Sequence, residues 1–313
     1  MTAADTTTTL PELEITHIPP LSPGELSLLD LHSAINVLNV LRNELALLGL
    51  MIANDENHFL AGITICDRLL HSQHDHDAAL IAAREIEQSQ TVVLAELEAK
   101  LPATATAELG EEIKEAHKNI RTVFGILRTR ARELLARAAH PERWEAYACQ
   151  ELEADLRRVF AAIEQNAKGR YRILFNAARQ HPSDYYVDLR IEAPEGVVRM
   201  PAVFRDVMRD LVANARKYTP PGGHITLALF EDQDALRFVV EDNGRGIAWD
   251  EIPRVVEFGR RGSNVGEVRT LGGGFGLTKA FFVTKQFGGR FWIASAEGRG
   301  TRVRIRIPRP ASV

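Results

Sequence analysis

One stretch of the chain, DLVANARKYTPPGG at residues 210–223, combines an acid, an amide and a cation at helical spacing. Asp210, Asn214 and Lys217 are four and then three residues apart, which places all three on one face of a helix. Carboxylate and amide oxygens are suitable ligands for Mg²⁺, and a nearby ammonium group can hold the phosphates that such an ion carries. The alternative is a helix face that happens to be polar and binds no ligand.

Three further segments have the composition of loops that approach a ligand. In VEDNGRGI, residues 240–247, a predicted strand leads into Asp242 and then to Gly244 and Gly246. A carboxylate only accepts hydrogen bonds, so Asp242 can bind an exocyclic amine, while the glycines let the backbone come close. LGGGFGLTKA, residues 271–280, is a glycine-rich loop that opens a helix and offers free N–H groups to phosphate. EGRGTRVRI, residues 297–305, is a tight turn before a strand, and each segment alone is an ordinary turn.

The order and spacing of the four segments resemble the ATP-binding domain shared by gyrases, heat-shock chaperones, histidine kinases and mismatch-repair proteins. The resemblance covers residues 170–310 and is strongest to histidine kinases. NARKYTPPGG is similar to the N box of that family, EDNGRGI to its G1 box, GGGFGLTKA to its G2 box and VVEFGRRGSN to its F box. GGRFWIASAEGRGTRVRIRIP is similar to its C-terminal strands. The resemblance implies an α/β sandwich domain that binds ATP and Mg²⁺.

The resemblance also assigns roles to single residues. It implies that Asn214 coordinates Mg²⁺, that Asp242 binds the adenine amine and that Thr301 lies near an adenine-bound water. By the same comparison Lys217 and Tyr218 lie near phosphate and adenine, and residues 248–272 form a mobile lid over ATP. The other residues that it places at the nucleotide are Gly244, Gly246, Phe258, Gly272, Gly274, Gly276 and Leu277.

Asp210 departs from the kinase pattern. Histidine kinases usually carry Asn four residues before the Mg²⁺ asparagine, whereas their hydrolytic relatives carry a Glu that activates water. Asp210 is a carboxylate and can bind metal or act as a base. Hydrolysis of ATP therefore stays open as an alternative to phosphoryl transfer.

Histidine kinases transfer phosphate to a histidine on a dimerising helical hairpin, and LDLHSAINVLNVLRNELALLG resembles the H box around that histidine. The resemblance implies that His32 is the phosphoacceptor and that Asn36 helps to orient the water that dephosphorylates a partner. Ser33 stands where the family usually has a Glu or Asp as general base. Asp30 is two residues before His32, about 200° around the helix, and is poorly placed to substitute. We therefore expect weak kinase activity.

Other histidines compete with His32 for this role. His117 lies in the predicted helical stretch EAHKNIRTVFGIL and is a rival acceptor. His71, His74 and His76 lie in HSQHDHD, which is either a polar connector or an adventitious metal site.

The helix that carries His32 is the most clearly patterned element. Its N-terminus is predicted at the sequence Ser22-Pro23-x-Glu25. Ser22 is a suitable N-cap, Pro23 is favoured in the first turn, and Glu25 can accept a hydrogen bond from the N-cap backbone. Apolar residues then recur at steps of three and four, as in a coiled coil. This leucine seam consists of Leu31, Ala34, Leu38, Leu41, Leu45, Leu48 and Ile52. It predicts a helical bundle between two subunits and therefore a homodimer.

Periodic patterns predict further helices over about 56–72, 77–101, 106–139 and 142–168. In the second half, β-branched runs predict strands over 171–176, 185–191, 224–230, 236–241, 290–295 and 301–307. Helices are predicted there over 207–218 and 276–287. The fold class is thus multidomain α and α+β, with a helical dimerisation bundle before an α/β sandwich.

Composition sets the domain boundaries of the 313-residue chain. Residues 1–22 are rich in Thr and Pro and are expected to form a flexible arm. Residues 23–168 are expected to form the helical dimerisation and phosphotransfer region, in which 77–139 could be an inserted regulatory element or an elongated bundle. Residues 169–313 are expected to form the ATP-binding domain.

Charge and hydropathy exclude several classes of protein. The formal net charge of −4 provides no basic excess for a nucleic-acid partner. Two cysteines fit a reducing compartment, and the chain shows neither a secretory signal nor an apolar run of about 20 residues. We therefore expect a soluble, cytoplasmic protein without a membrane span.

Three hypotheses for function follow. The first is a histidine-kinase-like signalling protein that phosphorylates His32 and exchanges phosphate with the receiver domain of a response regulator. The second is a nucleotide-binding adaptor or a phosphatase-biased pseudokinase. The third is an ATPase switch in which Asp210 activates water.

Overall fold

A computed structural model describes residues 10–101, 107–167, 169–176, 181–266 and 274–310 of the chain. Seven side chains within these ranges lie outside the description, namely those of Asp30, His32, Ser33, Ala107, Glu108, Leu109 and Asn166. The chain divides into two compact units. The helical unit comprises residues 20–141, and the sheet unit is formed by the described residues up to Pro19 and from Glu142 onward.

Among its described residues, the helical unit contains five helices: α1 (Pro23–Ala53), α2 (Leu60–Ser72), α3 (His76–Arg84), α4 (Ile86–Lys100) and α5 (Ala107–Ala139). The predicted start of α1 is confirmed. The Glu25 N–H donates to the Ser22 hydroxyl, and the Ser22 N–H donates to the Glu25 carboxylate at 2.7 Å. The helix ends where Asn54 adopts a left-handed conformation with φ of 51°. The helix predicted over 77–101 is divided in two at Glu85.

The leucine seam of α1 is buried within a single chain. Leu38, Leu41, Leu45 and Leu48 are at most 2% exposed and share one core with apolar residues of α2, α3, α4 and α5. The prediction that these leucines lie between two subunits is therefore wrong. The reason is that α2, α3, α4 and α5 supply the apolar surface that a second subunit was expected to provide.

One segment of α1, Ala34–Ala53, has the length and composition of a membrane-spanning helix. The core helix of a soluble protein meets the same criterion, and four leucines of this segment belong to the core described above. The segment is therefore weak evidence for a span.

The sheet unit contains two sheets. The first has seven strands in the order β1-β8-β9-β7-β6-β4-β3, and the second pairs β2 with β5. The strands are β1 (Glu12–Ile15), β2 (Trp144–Ala148), β3 (Ile173–Leu174), β4 (Tyr185–Glu192), β5 (Val197–Pro201), β6 (His224–Glu231), β7 (Ala235–Asp242), β8 (Arg290–Ser295) and β9 (Thr301–Pro308). Strands β3, β4 and β6 run parallel, and the other pairs of the large sheet are antiparallel.

Three α-helices complete the described part of this unit: α6 (Cys149–Asn166), α7 (Phe204–Tyr218) and α8 (Gly276–Gln286). Side chains along β7 and β9 alternate between buried and partly exposed, as expected for a sheet with one covered face. Their buried side chains form one core with Leu156 and Phe160 of α6, Leu211 of α7 and Phe281 of α8. The predicted α/β sandwich is confirmed.

The N-terminal boundary differs from the prediction. Within residues 1–22, Glu12–Ile15 form strand β1, which pairs antiparallel with β8 and contributes the buried Ile15 to the core. Glu14 binds Arg290, and Glu12 binds Arg304. A four-residue strand is too short for a periodic signal, and its partner strand lies near the other end of the sequence, so composition could not reveal it.

The boundary between the two units also differs from the prediction. Residues 144–148, predicted as helix, form strand β2 and pair with β5. The helix that follows, α6, buries Leu152, Leu156 and Phe160 in the core of the sheet unit. Along the sequence, the boundary between the units is therefore near Pro141 and not near residue 168. Composition misled because α6 is as rich in Ala, Leu, Glu and Arg as the helical unit.

Candidate functional site

Helix α7 presents a row of polar residues beside its buried face. Asp206, Asp210 and Asn214 follow one another at intervals of four residues, and Lys217 lies in the last turn. Burial and the nearby Arg261 lower the pKa of Lys217 to about 8. Burial makes the charged form of this ammonium group less stable, and a bound anion stabilises the charged form. This end of α7 therefore favours a phosphate-bearing ligand.

Asp242 is the last residue of β7 and is only 9% exposed. Its Oδ1 accepts a hydrogen bond from the Gly244 N–H at 2.9 Å. Burial raises the pKa of Asp242 to about 6, although hydrogen bonds from Gly244 and Thr301 oppose the shift. A buried carboxylate at a strand end is thus available to accept a hydrogen bond from a ligand amine.

The glycines around Asp242 leave no room for side chains. A Cβ on Gly244 would lie 2.4 Å from the Tyr218 carbonyl oxygen, and a Cβ on Gly300 would lie 1.8 Å from the carbonyl oxygen of Asp242. Gly246 has φ of +67°, and its Cβ would lie 1.9 Å from the Ala296 carbonyl oxygen. These contacts bring the loops after β7 and β8 into one tightly packed layer.

The end of α7 lies against the loop that follows β7. The Arg245 N–H donates to the Tyr218 carbonyl at 3.1 Å, and burial raises the pKa of the Tyr218 hydroxyl. Thr219 is buried, and its carbonyl accepts a hydrogen bond from Tyr185 at 2.9 Å. Two predicted site residues, Tyr218 and Asp242, are therefore held next to the same loop.

Thr301 pairs with Asp242 in the register of β7 and β9. Ser295, which was not predicted, lies beside it with 3.0 Å between the two hydroxyl oxygens. The Ser295 hydroxyl also donates to the Gly300 carbonyl and accepts from the Ile247 N–H, each at 2.8 Å. It therefore joins the loop after β7 to the turn between β8 and β9. Nothing in the sequence distinguished this serine, because its role depends on turns that come together only in the fold.

The predicted lid is described over residues 248–266, whereas Gly272 lies outside the described residues. Phe258 contacts Phe275 with ring centroids 4.6 Å apart. The Thr278 hydroxyl, in the first turn of α8, donates to the Glu257 carbonyl at 3.1 Å. The F-box aromatic thus joins the glycine-rich segment, which also contains Gly274, Gly276 and Leu277. Gly274 has φ of +80°, as a glycine at a loop end permits.

Helix α8 carries a lysine that was not predicted to belong to the site. The Lys279 side chain is 2% exposed, and its Nζ lies 3.6 Å from Oδ2 of Asp206 and 3.6 Å from Oδ2 of Asp210. Asp206 also binds Arg209, with 3.1 Å between Nη2 and Oδ1. Asp210, the residue that departs from the kinase pattern, is therefore one of two acids that form ion pairs with the buried Lys279. Buried lysine is rare unless paired, and spacing along the sequence gave no sign of it.

The H-box side chains of His32 and Ser33 lie outside the described residues. Asn36 is half-buried on α1, and the rival His117 is half-buried on α5. The rings of His71 and His74 lie 6.2 Å apart. No group of three or more metal-ligating side chains occurs in the described part of the chain, so the HSQHDHD segment shows no formed metal centre there.

The residues in the sheet unit fit a purine nucleotide with its metal ion. Asp242 supplies an acceptor at the end of a strand, and the glycine contacts keep side chains away from the backbone around it. Asn214 and Lys217 supply an amide oxygen and a cation, and the first turn of α8 adds backbone N–H groups.

Comparison with known proteins gives the same assignment. Residues 201–311 match the sequence profile of the family described as "Histidine kinase-, DNA gyrase B-, and HSP90-like ATPase". The chain is 36% identical over 107 residues to the sensor histidine kinase WalK of Bacillus subtilis, covering 33% of this chain and 17% of WalK. It is 33% identical over 129 residues to the adaptive-response sensory kinase SasA of Parasynechococcus marenigrum, covering 39% of this chain and 33% of SasA. The matched region thus spans between about a sixth and a third of these relatives.

Two solved structures were also compared with the chain. The mycobacterial sensor histidine kinase MprB matches 53% of this chain and 97% of its own, with 20% identity and a TM-score of 0.37. Full-length ShkA in complex with AMPPNP matches 74% of this chain and 47% of its own, with 17% identity and a TM-score of 0.43.

Proposed function

Because residues 201–311 form an ATPase domain of the histidine kinase, gyrase and HSP90 superfamily, we propose that the chain is a histidine-kinase-like signalling protein. It binds Mg·ATP in the sheet unit, phosphorylates His32 and exchanges phosphate with an aspartate on the receiver domain of a response regulator. It acts in the cytoplasm as a homodimer formed through the helical unit. Because the leucine seam is buried within one chain, such a dimer must use other residues of that unit.

The observation that supports this proposal most directly is the buried Asp242 carboxylate, which is surrounded by closely packed glycines. Asp242 accepts a hydrogen bond from the adenine amine, and Thr301 and Ser295 lie beside it as polar partners for water. Gly244, Gly246 and Gly300 let the loops around Asp242 pack closely, since any Cβ there would collide with a neighbouring carbonyl. The Phe258–Phe275 contact joins the F-box segment to the residue that precedes α8.

The phosphates lie toward α7 and α8 in this proposal. Asn214 ligates Mg²⁺, and Lys217 contributes a charge that the phosphates stabilise. The first N–H groups of α8, from Gly276 and Leu277 onward, face the negative charge and add the favourable end of the helix dipole. Mg²⁺, when bound, neutralises the charge that develops on the departing diphosphate.

The phosphoryl acceptor is assigned from sequence to His32. A ring nitrogen of neutral imidazole forms the new P–N bond, the bond between the γ-phosphorus and the bridging oxygen breaks, and ADP leaves. Ser33 cannot take a proton as a carboxylate would, so transfer is slow. Asn36, one turn later, serves a separate step, the dephosphorylation of the regulator, by orienting the attacking water.

The test is incubation of the purified protein with ATP labelled on the γ-phosphate. We expect an acid-labile, base-stable label on the protein that is lost in His32→Ala and kept in His117→Ala. General-base assistance contributes roughly 10²–10⁴-fold to a proton transfer, so Ser33→Glu is expected to accelerate labelling measurably. Asn36→Ala is expected to slow regulator dephosphorylation and leave labelling nearly intact.

Label that persists in His32→Ala would transfer the acceptor to His117 or another residue without affecting the ATP site. ATP binding with neither label nor phosphate release would instead favour the nucleotide-binding adaptor.

A further inference from the structure

Arg216 lies on the side of α7 that faces away from the proposed nucleotide site. Asn214 approaches Gly276 of α8, whereas Arg216 is two residues further along, about 200° around the helix. Its guanidinium carbon lies 4.8 Å from the ring centre of Tyr171 and 5.5 Å from that of Tyr185. The function proposed above does not use this side of the helix.

The two tyrosine rings form a fixed platform for this arginine. Tyr171 and Tyr185 are both buried, and their ring centres lie 4.9 Å apart in an edge-to-face arrangement. The Tyr185 hydroxyl donates to the Thr219 carbonyl at 2.9 Å, which joins the platform to the residue after α7. A guanidinium group that lies over an aromatic face keeps its in-plane N–H groups for hydrogen bonds. The platform therefore positions Arg216 before any ligand binds.

Arg216 has no acidic partner in the part of the chain that the structure describes. Its Nε is buried without a hydrogen-bond partner there, and no carboxylate of the described residues forms an ion pair with its guanidinium group. Burial and the nearby Arg170 both lower the pKa of Arg216, because each disfavours the charged form. A cation in such surroundings is stabilised by an anion that comes from outside the chain.

Arg170 adds a second cation beside the first. Its Nε donates to the Ala167 carbonyl at 3.0 Å, and its Nη groups have no partner among the described residues. Two acids of this region are engaged elsewhere. Asp184 accepts a hydrogen bond from the Arg172 guanidinium at 2.9 Å, and Glu164 accepts one from a backbone N–H of β3 at 2.7 Å. The described residues therefore leave the two neighbouring positive charges without a counter-ion.

We propose that Arg216 and Arg170 form a binding site for a phosphate dianion, on the side of α7 opposite the nucleotide. The Nη groups of both residues donate to the phosphate oxygens, and the two positive charges balance the two negative ones. Guanidinium groups suit this role because their paired N–H donors match the oxygens of phosphate. The phosphate is either the free anion or a monoester of a small molecule. This inference is independent of the proposed function.

The experiment measures the binding of inorganic phosphate to the full chain by calorimetry and by thermal unfolding. The pH is 8, where phosphate is mostly a dianion, and sodium chloride keeps the ionic strength constant so that charge screening is equal in all samples. Glycerol 3-phosphate replaces inorganic phosphate in a second series. Tighter binding of glycerol 3-phosphate would identify a monoester as the ligand, and tighter binding of inorganic phosphate would identify the free anion.

Four variants locate the site. Arg216→Met and Arg170→Met each remove one of the two cations. Arg190→Met removes an exposed arginine of β4 that pairs with Asp188, and it is the matched control for the change in net charge. Lys217→Met tests whether the phosphate binds in the nucleotide site instead.

We expect phosphate to bind the wild type and to raise its unfolding temperature until the site is saturated. Arg216→Met and Arg170→Met should each weaken phosphate binding about tenfold or more, the effect of losing a charge-assisted hydrogen bond. Arg190→Met and Lys217→Met should keep this binding. A purely structural arginine would change the unfolding temperature but not its dependence on phosphate.

Two results would overturn the inference. One is the absence of saturable phosphate binding by the wild type, or binding that is unchanged in both arginine variants. The other is loss of binding in Lys217→Met with retention in Arg216→Met, which would put the phosphate in the nucleotide site. If Arg216→Met does not fold, Arg170→Met decides the outcome, because Arg170 is exposed and its replacement leaves the core intact.

Discussion

Gly276 lies so close to Asn214 that a single added carbon would displace the amide. A Cβ on Gly276 would be 2.7 Å from Nδ2 of Asn214 and 3.5 Å from its Cγ. The first residue of α8 thus determines where the proposed Mg²⁺ ligand of α7 can lie. The helices that carry the segments similar to the N box and the G2 box are therefore in contact at this point.

Gly276→Ala is expected to reduce Mg²⁺-dependent ATP affinity to about that of Asn214→Ala, because the new methyl group occupies the position of the amide. The fold should persist, since the group that must move is the end of a side chain. Calorimetric titration of ATP with and without Mg²⁺ measures the effect.

The matched control is Gly125→Ala, in the middle of α5, where no atom lies within 4 Å of the added carbon. Alanine favours a helix interior by roughly 0.5–1 kcal/mol over glycine, so this variant should be at least as stable as wild type. Wild-type Mg²⁺ dependence in Gly276→Ala would show that Asn214 is not a metal ligand.

Asp242→Asn is expected to abolish ATP binding, because an amide can present a donor toward the adenine amine. The same change should stabilise the nucleotide-free protein at neutral pH. The pKa of Asp242 is raised to about 6 from 3.8, so the ionised carboxylate disfavours the folded state above pH 6. Two pKa units correspond to about 3 kcal/mol, and this advantage of Asn should disappear as the pH falls to about 4.

Thermal unfolding between pH 2 and pH 8 measures this dependence. Asp232→Asn is the control of opposite sign, because Arg237 and two backbone N–H groups lower the pKa of Asp232 to about 2. Its carboxylate stabilises the fold above pH 4, and that contribution is lost as the pH falls toward 2. Parallel pH profiles for the two variants would contradict the assignment of a buried, desolvated charge at Asp242.

Substitutions at two residues of α1 distinguish an effect on folding from an effect on dimer assembly. Leu45 is fully buried in the helical unit, whereas Leu47 is 57% exposed. Leu45→Glu should unfold this unit, since burial of an unpaired carboxylate costs several kcal/mol. Leu47→Glu should keep the helix content and, if the exposed face of α1 forms the dimer, lower the mass to that of a monomer.

Circular dichroism and light scattering distinguish these outcomes. A Leu45→Glu protein that stays helical but becomes monomeric would restore the original assignment of the leucine seam to a subunit interface.

The boundary near Pro141 predicts which fragment folds. Residues 142–313 retain α6 and should fold, whereas residues 169–313 lose Leu152, Leu156 and Phe160 from the core. Loss of one large core side chain costs about 2–5 kcal/mol, so loss of all three is comparable to the whole stability of a typical domain. Cooperative unfolding of 169–313 at the same temperature as 142–313 would contradict this boundary.

The sequence predicted the local signals well. Features that depend only on neighbouring residues are confirmed. They are the cap at Ser22, the strand end at Asp242, the strand start at Thr301 and the start of α8 at Gly276. The Lys279 ion pairs, the Ser295 hydroxyl and strand β1 depend on partners far along the chain. Periodicity identifies which face of an element is apolar but not what covers it, which is why the leucine seam was assigned to a second subunit.

Strand β1 has a consequence for the order of events during synthesis. Glu14 and Arg290 are 276 residues apart, and the whole helical unit lies between them in the sequence. At roughly 5–20 residues per second, about 14–55 s separate the emergence of these two residues from the ribosome. The helical unit can therefore fold first, as a domain inserted into an unfinished sheet. The first strand to be made is among the last to pair.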